Sequence, residues 1–275
     1  MKPMPMNVPT LLGFAAALWT SAVAAAEPSY ACLMEPYQRI EVRSPVEALI
    51  DTVHVDRGSY VKQGQVLVTL DRGVEKAALE LSRYRAVMEG EAKVAQARLS
   101  YSQEKLRRRE ELRRQNFISA QDRDDTLAEL RVAEADLIQA KDNTQLSMLE
   151  NKRLEEVLKL RELVAPFNGV VTERLQHPGE LSFTGEGARP ILKLAQINPV
   201  RVEVVLPVAL YGRIRAGGKA LVMPEPPLQG SYRATVKTVD KVVDSASGTF
   251  GVLMELPNPK GTLPVGVKCK VSFGD

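Results

Sequence analysis

Hydrophobic and polar positions follow a helical period in the middle of this chain and a strand period on either side of it. Residues 74–115 and 120–162 contain no proline and are rich in Ala, Leu, Glu, Lys and Arg, which favour helix. In the second run, apolar, small and polar residues recur at alternating spacings of three and four, the period of a coiled-coil seam. The seam positions are Leu130, Ala133, Leu137, Ala140, Thr144, Ser147, Asn151, Leu154 and Leu158.

The first run carries a matching stripe, so the two runs are predicted to pair as a long antiparallel helical hairpin. The stripe is Leu81, Tyr84, Met88, Ala92, Ala95, Leu99, Ser102 and Leu106. At about 1.5 Å per residue, each arm would be roughly 60 Å long. Polar seam residues such as Ser102 and Asn151 predict close helices of modest stability. The charged residues on the other faces are expected to be solvated.

The turn between the two arms lies within residues 113–125. Asn116 suits the end of the first helix, and Ser119 followed by Asp122 predicts a capping box that opens the second. Phe117 and Ile118 are therefore forced to the tip of the hairpin. Apolar residues there have little local core to enter, which favours a partner surface. The alternative is that they pack on each other across the turn.

A weak repeat flanks the hairpin, with residues 43–61 resembling residues 164–182. Pro45 and Gly58 are as far apart in the first copy as Pro166 and Gly179 are in the second. Each copy predicts a short strand, a turn and a further strand, and the two glycines suit turns with positive φ.

Further strand signals complete the two copies. Asn168-Gly169 predicts a tight turn, because both residues tolerate positive φ. Residues 65–70 and 190–195 alternate as closing strands. After the second copy, residues 198–207 alternate as a strand and residues 208–218 predict a short helix ended by glycine, with four or five strands to follow.

Composition and charge narrow the class of function. The chain has 275 residues, of which 5% are aromatic and 26% charged, with a net charge of +3. Basic and acidic residues are interleaved, so no face is set up for phosphate and nucleic acid is not expected as a partner. His54 and His177 occupy equivalent turns of the two copies instead of a ligand cluster. We expect no metal site, no cofactor and no catalytic activity.

The N-terminus predicts export. Lys2 precedes an apolar stretch at residues 11–23 and three alanines that end at Ala26, as in a signal peptide cleaved after Ala26. The alternative is an uncleaved anchor, although the apolar run is shorter than the roughly 20 residues that a spanning helix needs. An oxidising compartment would permit a bridge between Cys32 and Cys269. Two separate buried cysteines are the alternative.

The two repeat copies resemble the halves of a biotinyl/lipoyl domain, here separated by the hairpin. No lysine stands on a hairpin tip, as a carrier domain requires. A lipoyl domain interrupted in this way and followed by more β-structure resembles the periplasmic adaptors, or HlyD-like membrane fusion proteins, of tripartite efflux and secretion systems. The resemblance covers residues 40–275 and implies an elongated α+β fold: a lipoyl-like sandwich split by a coiled-coil hairpin, then a small β-barrel.

The resemblance also implies a division of the chain. Its parts are a signal peptide (1–26), an N-terminal segment along the barrel (27–41), lipoyl half 1 (42–72), the hairpin (73–162), lipoyl half 2 (163–195) and the barrel (196–275). The segment before Arg43 would return along the barrel and bring Cys32 towards Cys269. The family's membrane-proximal domain is not expected, because the chain stops at Asp275.

Function follows from the same resemblance. The family's tip pattern of Arg, Leu and Ser is matched by Arg108, Leu112 and Ser119, which with Phe117 and Ile118 would contact an outer-membrane channel. The other implied partners are an inner-membrane transporter, of resistance-nodulation-division (RND) or ABC type, and further copies of the chain in a ring that is usually hexameric. The location would be the periplasm. A periplasmic coiled-coil scaffold without a channel partner remains an alternative.

Overall fold

The computed structural model describes residues 1–3 and 28–274. Most of the expected signal peptide, residues 1–26, lies outside this range. The strands are β1 (Ser29–Val42), β2 (Ala48–Val53), β3 (Tyr60–Val61), β4 (Val66–Leu70), β5 (Glu162–Val164), β6 (Gly169–Arg174), β7 (Leu181–Ser182), β8 (Leu192–Pro207), β9 (Lys219–Pro224), β10 (Tyr232–Val239), β11 (Thr249–Leu256) and β12 (Val267–Phe273). The helices are α1 (Gly73–Ala86), α2 (Gly90–Arg114) and α3 (Ala120–Lys159).

The two repeat copies form a sandwich by pairing with each other. One layer has the strand order β5-β4-β2-β7, and the other is the β8-β6-β3 end of an eight-stranded sheet. Strands of the first copy pair with strands of the second, as β2 does with β7 and β3 with β6. Ile50, Leu67 and Leu192 are fully buried between the layers. The predicted lipoyl-like sandwich split by a hairpin is confirmed.

The predicted tight turn at Asn168-Gly169 is wrong, because neither residue has a positive φ. Asn168 instead accepts a hydrogen bond through its side-chain oxygen from the amide of Gln63, at 2.8 Å. A Cβ at position 169 would lie 2.5 Å from the carbonyl oxygen of Ala195. Glycine is needed here for the close approach of two strands and not for a turn. Gly58 and Gly179 do adopt positive φ, as predicted.

The hairpin forms as predicted in its outer part. α3 has 40 residues, a length of about 60 Å, and buries Ala133, Leu137 and Ala140 along its seam. α2 buries Ala95 and Leu99 against them. Crossing ion pairs flank this seam, with Arg98 2.9 Å from Asp136 and Lys105 2.5 Å from Glu129.

The inner part of the first arm differs from the prediction of one continuous helix. The first arm breaks after Ala86 and resumes at Gly90, where low helix propensity favours an interruption. The break changes the phase of α1, so Leu81 and Tyr84 are exposed instead of buried, and Met88 is exposed within the break itself. The residues that face α3 are Leu79, Ser82 and Ala86.

The last third of the chain forms a small antiparallel barrel together with β1 from near the N-terminus. Its six strands follow the order β1-β12-β9-β10-β11-β8, and pairing of β1 with β8 completes the ring. Met34, Val202 and Met254 are fully buried inside. The predicted short helix at residues 208–218 is wrong: a single 3-10 turn, Val208–Leu210, is followed by Gly212 and Gly217 with positive φ. Such residues end a helix at once.

The N-terminal strand β1 connects the sandwich to the barrel. It lies antiparallel to β8 along both units, with a register shift between Pro36 and Gln38. Its first half also pairs with β12, where Cys32 stands opposite Cys269. A disulfide joins these two residues across a sequence separation of 237.

Candidate functional site

The tip of the hairpin begins where α2 ends in a well-defined backbone cap. Asn116 has a φ of 60°. Its amide donates to the carbonyl of Arg113, and the amide of Phe117 donates to the carbonyl of Leu112, both at 2.9 Å. This pair of bonds is the Schellman motif, in which a left-handed residue reverses the chain and satisfies the last helical carbonyls. The backbone therefore fixes where Phe117 leaves the helix.

The start of α3 is fixed by a capping box between Ser119 and Asp122. The Ser119 hydroxyl accepts from the amide of Asp122 at 3.1 Å and donates to its carboxylate at 2.7 Å. The same carboxylate accepts from the Ser119 amide at 3.1 Å. These hydrogen bonds from Ser119, with the nearby charge of Arg109, lower the pKa of Asp122. Ser119 is thus engaged in holding the turn.

The five predicted tip residues differ in how much they offer to a partner. Phe117 is 73% exposed and Leu112 is 39% exposed, whereas Ile118 is half-buried. Phe117 therefore does not pack into the turn. This disfavours the alternative that Phe117 and Ile118 pack only on each other. Arg108 is exposed, and among the described residues it forms no ion pair.

Charge at the tip is divided between the two arms. α2 ends with Arg113 and Arg114 in its last turn, and α3 begins with Asp122 in its first. Cations at a helix C-terminus and anions at an N-terminus both complement the helix dipole. The tip thus carries two arginines beside an exposed aromatic ring, and Asp122, the acid in the first turn of α3, is engaged with Ser119.

The base of the hairpin is held by two ion pairs that the sequence analysis missed. Arg161 pairs with Glu75, and both side chains are largely buried, at 18% and 19% exposure. Arg72 pairs with Glu162 beside them. The amide of Leu70 also donates to the carbonyl of Arg161 at 2.8 Å. These contacts tie the start of α1 to the end of α3 where both meet the sandwich.

Part of the hairpin matches a protein-family model. Residues 84–145 match the model described as "RND MFP, alpha-helical hairpin domain". The crystal structure of MacA from Actinobacillus actinomycetemcomitans superposes with a TM-score of 0.74 and 17% identity, covering 90% of this chain and 79% of that one. The membrane fusion protein Spr0693 from Streptococcus pneumoniae superposes with a TM-score of 0.62 and 12% identity, covering 90% and 99%.

The chain shares the fold of these two solved structures, and its hairpin matches the hairpin model. Curated relatives agree: it is 24% identical to the macrolide export protein MacA of Yersinia pestis, over 99% of this chain and 73% of that protein. Identity to the multidrug resistance protein MdtA of Xenorhabdus bovienii is 25%, over 82% of this chain and 52% of the relative. The chain thus spans about half to three quarters of the length of these two curated relatives.

No helix within residues 28–274 combines the length and the apolar character that a membrane span requires.

Proposed function

We propose that this chain is the periplasmic adaptor subunit of a tripartite efflux pump. It would bridge an inner-membrane transporter of the RND class and an outer-membrane channel, without catalysing a reaction. The RND class is favoured because the matched hairpin model carries that description. The observation that carries the proposal is the exposed Phe117 at the end of a helix about 60 Å long. An exposed aromatic side chain that a backbone cap and a capping box hold at the far end of the hairpin suits a partner surface.

The proposed contact with the channel consists of Arg108, Leu112, Phe117, Ile118 and Ser119. Arg108 would supply charge, since it is exposed and has no ion pair among the described residues. Phe117 and Leu112 would supply apolar area. Ser119 would contribute mainly by holding the turn.

In this proposal, the affinity of the hairpin tips for the channel comes from assembly of the chain into a ring. A single tip offers little area, because Phe117 and Leu112 are its large exposed apolar groups. Several tips that engage together raise the effective concentration of each remaining contact. We therefore propose a homo-oligomeric ring, hexameric as is usual for such adaptors, in the periplasm after export by the N-terminal segment.

The test is in-cell cross-linking from a photoreactive residue placed at Phe117 in the native host. The expected result is capture of an outer-membrane channel, identified by mass spectrometry. A photoreactive residue at Ile138 is the matched control, because that side chain is also exposed but lies in the middle of α3. Capture from Ile138 should give other copies of the chain or nothing, and no channel.

A charge variant separates the adaptor from a scaffold without a channel partner. Arg108→Glu should abolish both channel capture and export, because it reverses the charge of the proposed contact. Arg131→Glu is the control, since Arg131 is an exposed arginine of α3 further from the tip. The proposal fails if Arg108→Glu is folded and fully active, or if the photoreactive residue at position 117 never captures a channel. The hypothesis of a periplasmic scaffold without a channel partner then replaces it.

A further inference from the structure

A groove with a volume of about 1130 Å³ lies at the junction of the sandwich and the barrel. Its floor includes a row of residues directly opposed across four strands: Arg39, Ala195, Val170 and Tyr60, on β1, β8, β6 and β3. Opposed residues project from the same face of a sheet. Neighbouring strands are about 4.8 Å apart, so the floor spans roughly 14 Å from Arg39 to Tyr60.

The facing wall belongs to the barrel and is mostly apolar. It consists of the loop between β11 and β12, with Leu263, Pro264 and Val265, together with Leu228 from the loop after β9. The Tyr60 hydroxyl lies 3.5 Å from the carbonyl oxygen of Gly261 and so spans floor and wall. A concave surface that is mainly apolar, with few polar groups, is the usual form of a small-molecule site.

The charged groups of the groove leave one cation unbalanced. Glu173 pairs with Lys193 at 3.1 Å. Glu41 pairs at 2.7 Å with Arg43, a residue outside the groove lining. Arg39 is exposed and has no carboxylate within 4.0 Å in the part of the chain that the structure describes. A guanidinium in this state offers a pair of parallel donors to a carboxylate or phosphate.

We propose that this groove binds an amphipathic organic anion. Its headgroup, a carboxylate or a phosphate, would pair with Arg39, and its apolar body would lie over Val170 towards Tyr60 and Leu263. An organic cation of the same shape is disfavoured, because its charge would meet Arg39. This site is separate from the hairpin tip and does not depend on the adaptor role.

Titration calorimetry on the purified chain tests the site with single-chain probes below their micelle-forming concentrations. Dodecanoate and dodecyl phosphate should bind, and the tighter of the two identifies the headgroup, while dodecyltrimethylammonium should bind much more weakly. Arg39→Gln should weaken binding of both anions by about tenfold or more. Arg39→Glu should reverse the preference in favour of the cationic probe. The matched control is Arg233→Gln, at an exposed arginine of β10 outside the groove, which should leave all affinities unchanged.

A filling variant locates the binding. Thr172 is exposed and lines the groove, so Thr172→Trp should abolish binding of both anions while circular dichroism and the thermal midpoint report a folded chain. The proposal is overturned if neither anion binds, if Arg39→Gln binds them as the parent does, or if the folded Thr172→Trp variant still binds. It is also overturned if the probe-free chain self-associates and Thr172→Trp returns it to monomer, since a second copy would then occupy the groove.

Discussion

The barrel and the hairpin are built on very different amounts of buried apolar material. All six barrel strands contribute to one closed core, in which Met34, Val202 and Met254 have no exposed surface. The hairpin depends on a thin seam. Its buried apolar cluster consists of Ala95, Leu99, Ala133, Leu137 and Ala140. Local openings occur where few buried contacts oppose them. The hairpin should therefore open at a lower free-energy cost than the barrel.

Removing the disulfide is expected to reduce the difference in stability between the barrel and the hairpin more than any other change. Reduction, or the double variant Cys32→Ser with Cys269→Ser, removes a constraint on a loop of 237 residues in the unfolded chain. The expected loss is roughly 2–5 kcal/mol of unfolding free energy, measured by urea denaturation with and without reductant. An unchanged midpoint, with free thiols verified by mass, would mean that the bridge does not stabilise the barrel.

A cavity in the barrel core should lower the stability of the whole chain. Met254 is fully buried, so Met254→Ala is expected to cost about 3 kcal/mol through lost contacts and an unfilled space. Met148→Ala is the control, because Met148 is half-exposed on α3, and it should change stability by less than about 0.5 kcal/mol. Urea unfolding, monitored by far-ultraviolet circular dichroism, compares the stabilities of the two variants.

A cavity in the hairpin seam should act locally. Leu137→Ala is expected to destabilise the hairpin by about 2 kcal/mol, seen as faster amide hydrogen exchange in α2 and α3 with barrel amides unchanged. The neighbouring Ile138→Ala removes an exposed side chain and should leave exchange as it was. Faster exchange throughout the barrel after Leu137→Ala would show that the two regions unfold together.

A variant at the base of the hairpin tests whether the helical seam relies on its attachment to the sandwich. Glu75→Gln leaves the largely buried Arg161 without its anion, at an expected cost of about 1.5 kcal/mol. Exchange should rise in the first turns of α1 and the last turns of α3. Glu80→Gln, at an exposed position of α1, is the matched control. Equal exchange in the two variants would mean that the ion pair contributes nothing to the attachment.

The smallest expected effect is at the tip. Ser119→Ala removes the cap of α3 and should cost about 1 kcal/mol of local helix stability, measured by exchange of the first amides of α3. The lowered pKa of Asp122 predicts a pH dependence as well. A carboxylate with a lowered folded pKa stabilises the fold at higher pH and loses that effect as pH falls through the folded pKa. Acid should therefore loosen this turn in the parent chain and have less effect in Ser119→Ala.

Periodic segments were predictable from the sequence because one residue spacing decides their burial. The seams of α2 and α3 and the capping box at Ser119 follow from short-range patterns, whereas the pairing of the two repeat copies was implied by the family resemblance. The stripe of α1 did not, because the interruption before Gly90 rotates α1 relative to α2. The spacing of Leu81 and Tyr84 does not reveal such a rotation.

Features that depend on distant contacts were beyond sequence reasoning. Glu75 and Arg161 are 86 residues apart and meet only because the hairpin returns to its base. The need for glycine at position 169 arises from the carbonyl of Ala195 on another strand. At the tip, the sequence places Phe117 and Ile118 together, and only the packing of the turn decides that Phe117 is the more exposed of the two.

The continuity of β8 has a mechanical consequence. This strand runs from the sandwich into the barrel without interruption, and β1 lies antiparallel beside it through both units. Tension applied along this axis, between the sandwich and the barrel, would be carried by the covalent backbones of both strands, which their mutual hydrogen bonds hold side by side. Movement in the hairpin would accordingly be passed to the barrel as displacement of a stiff two-stranded rod.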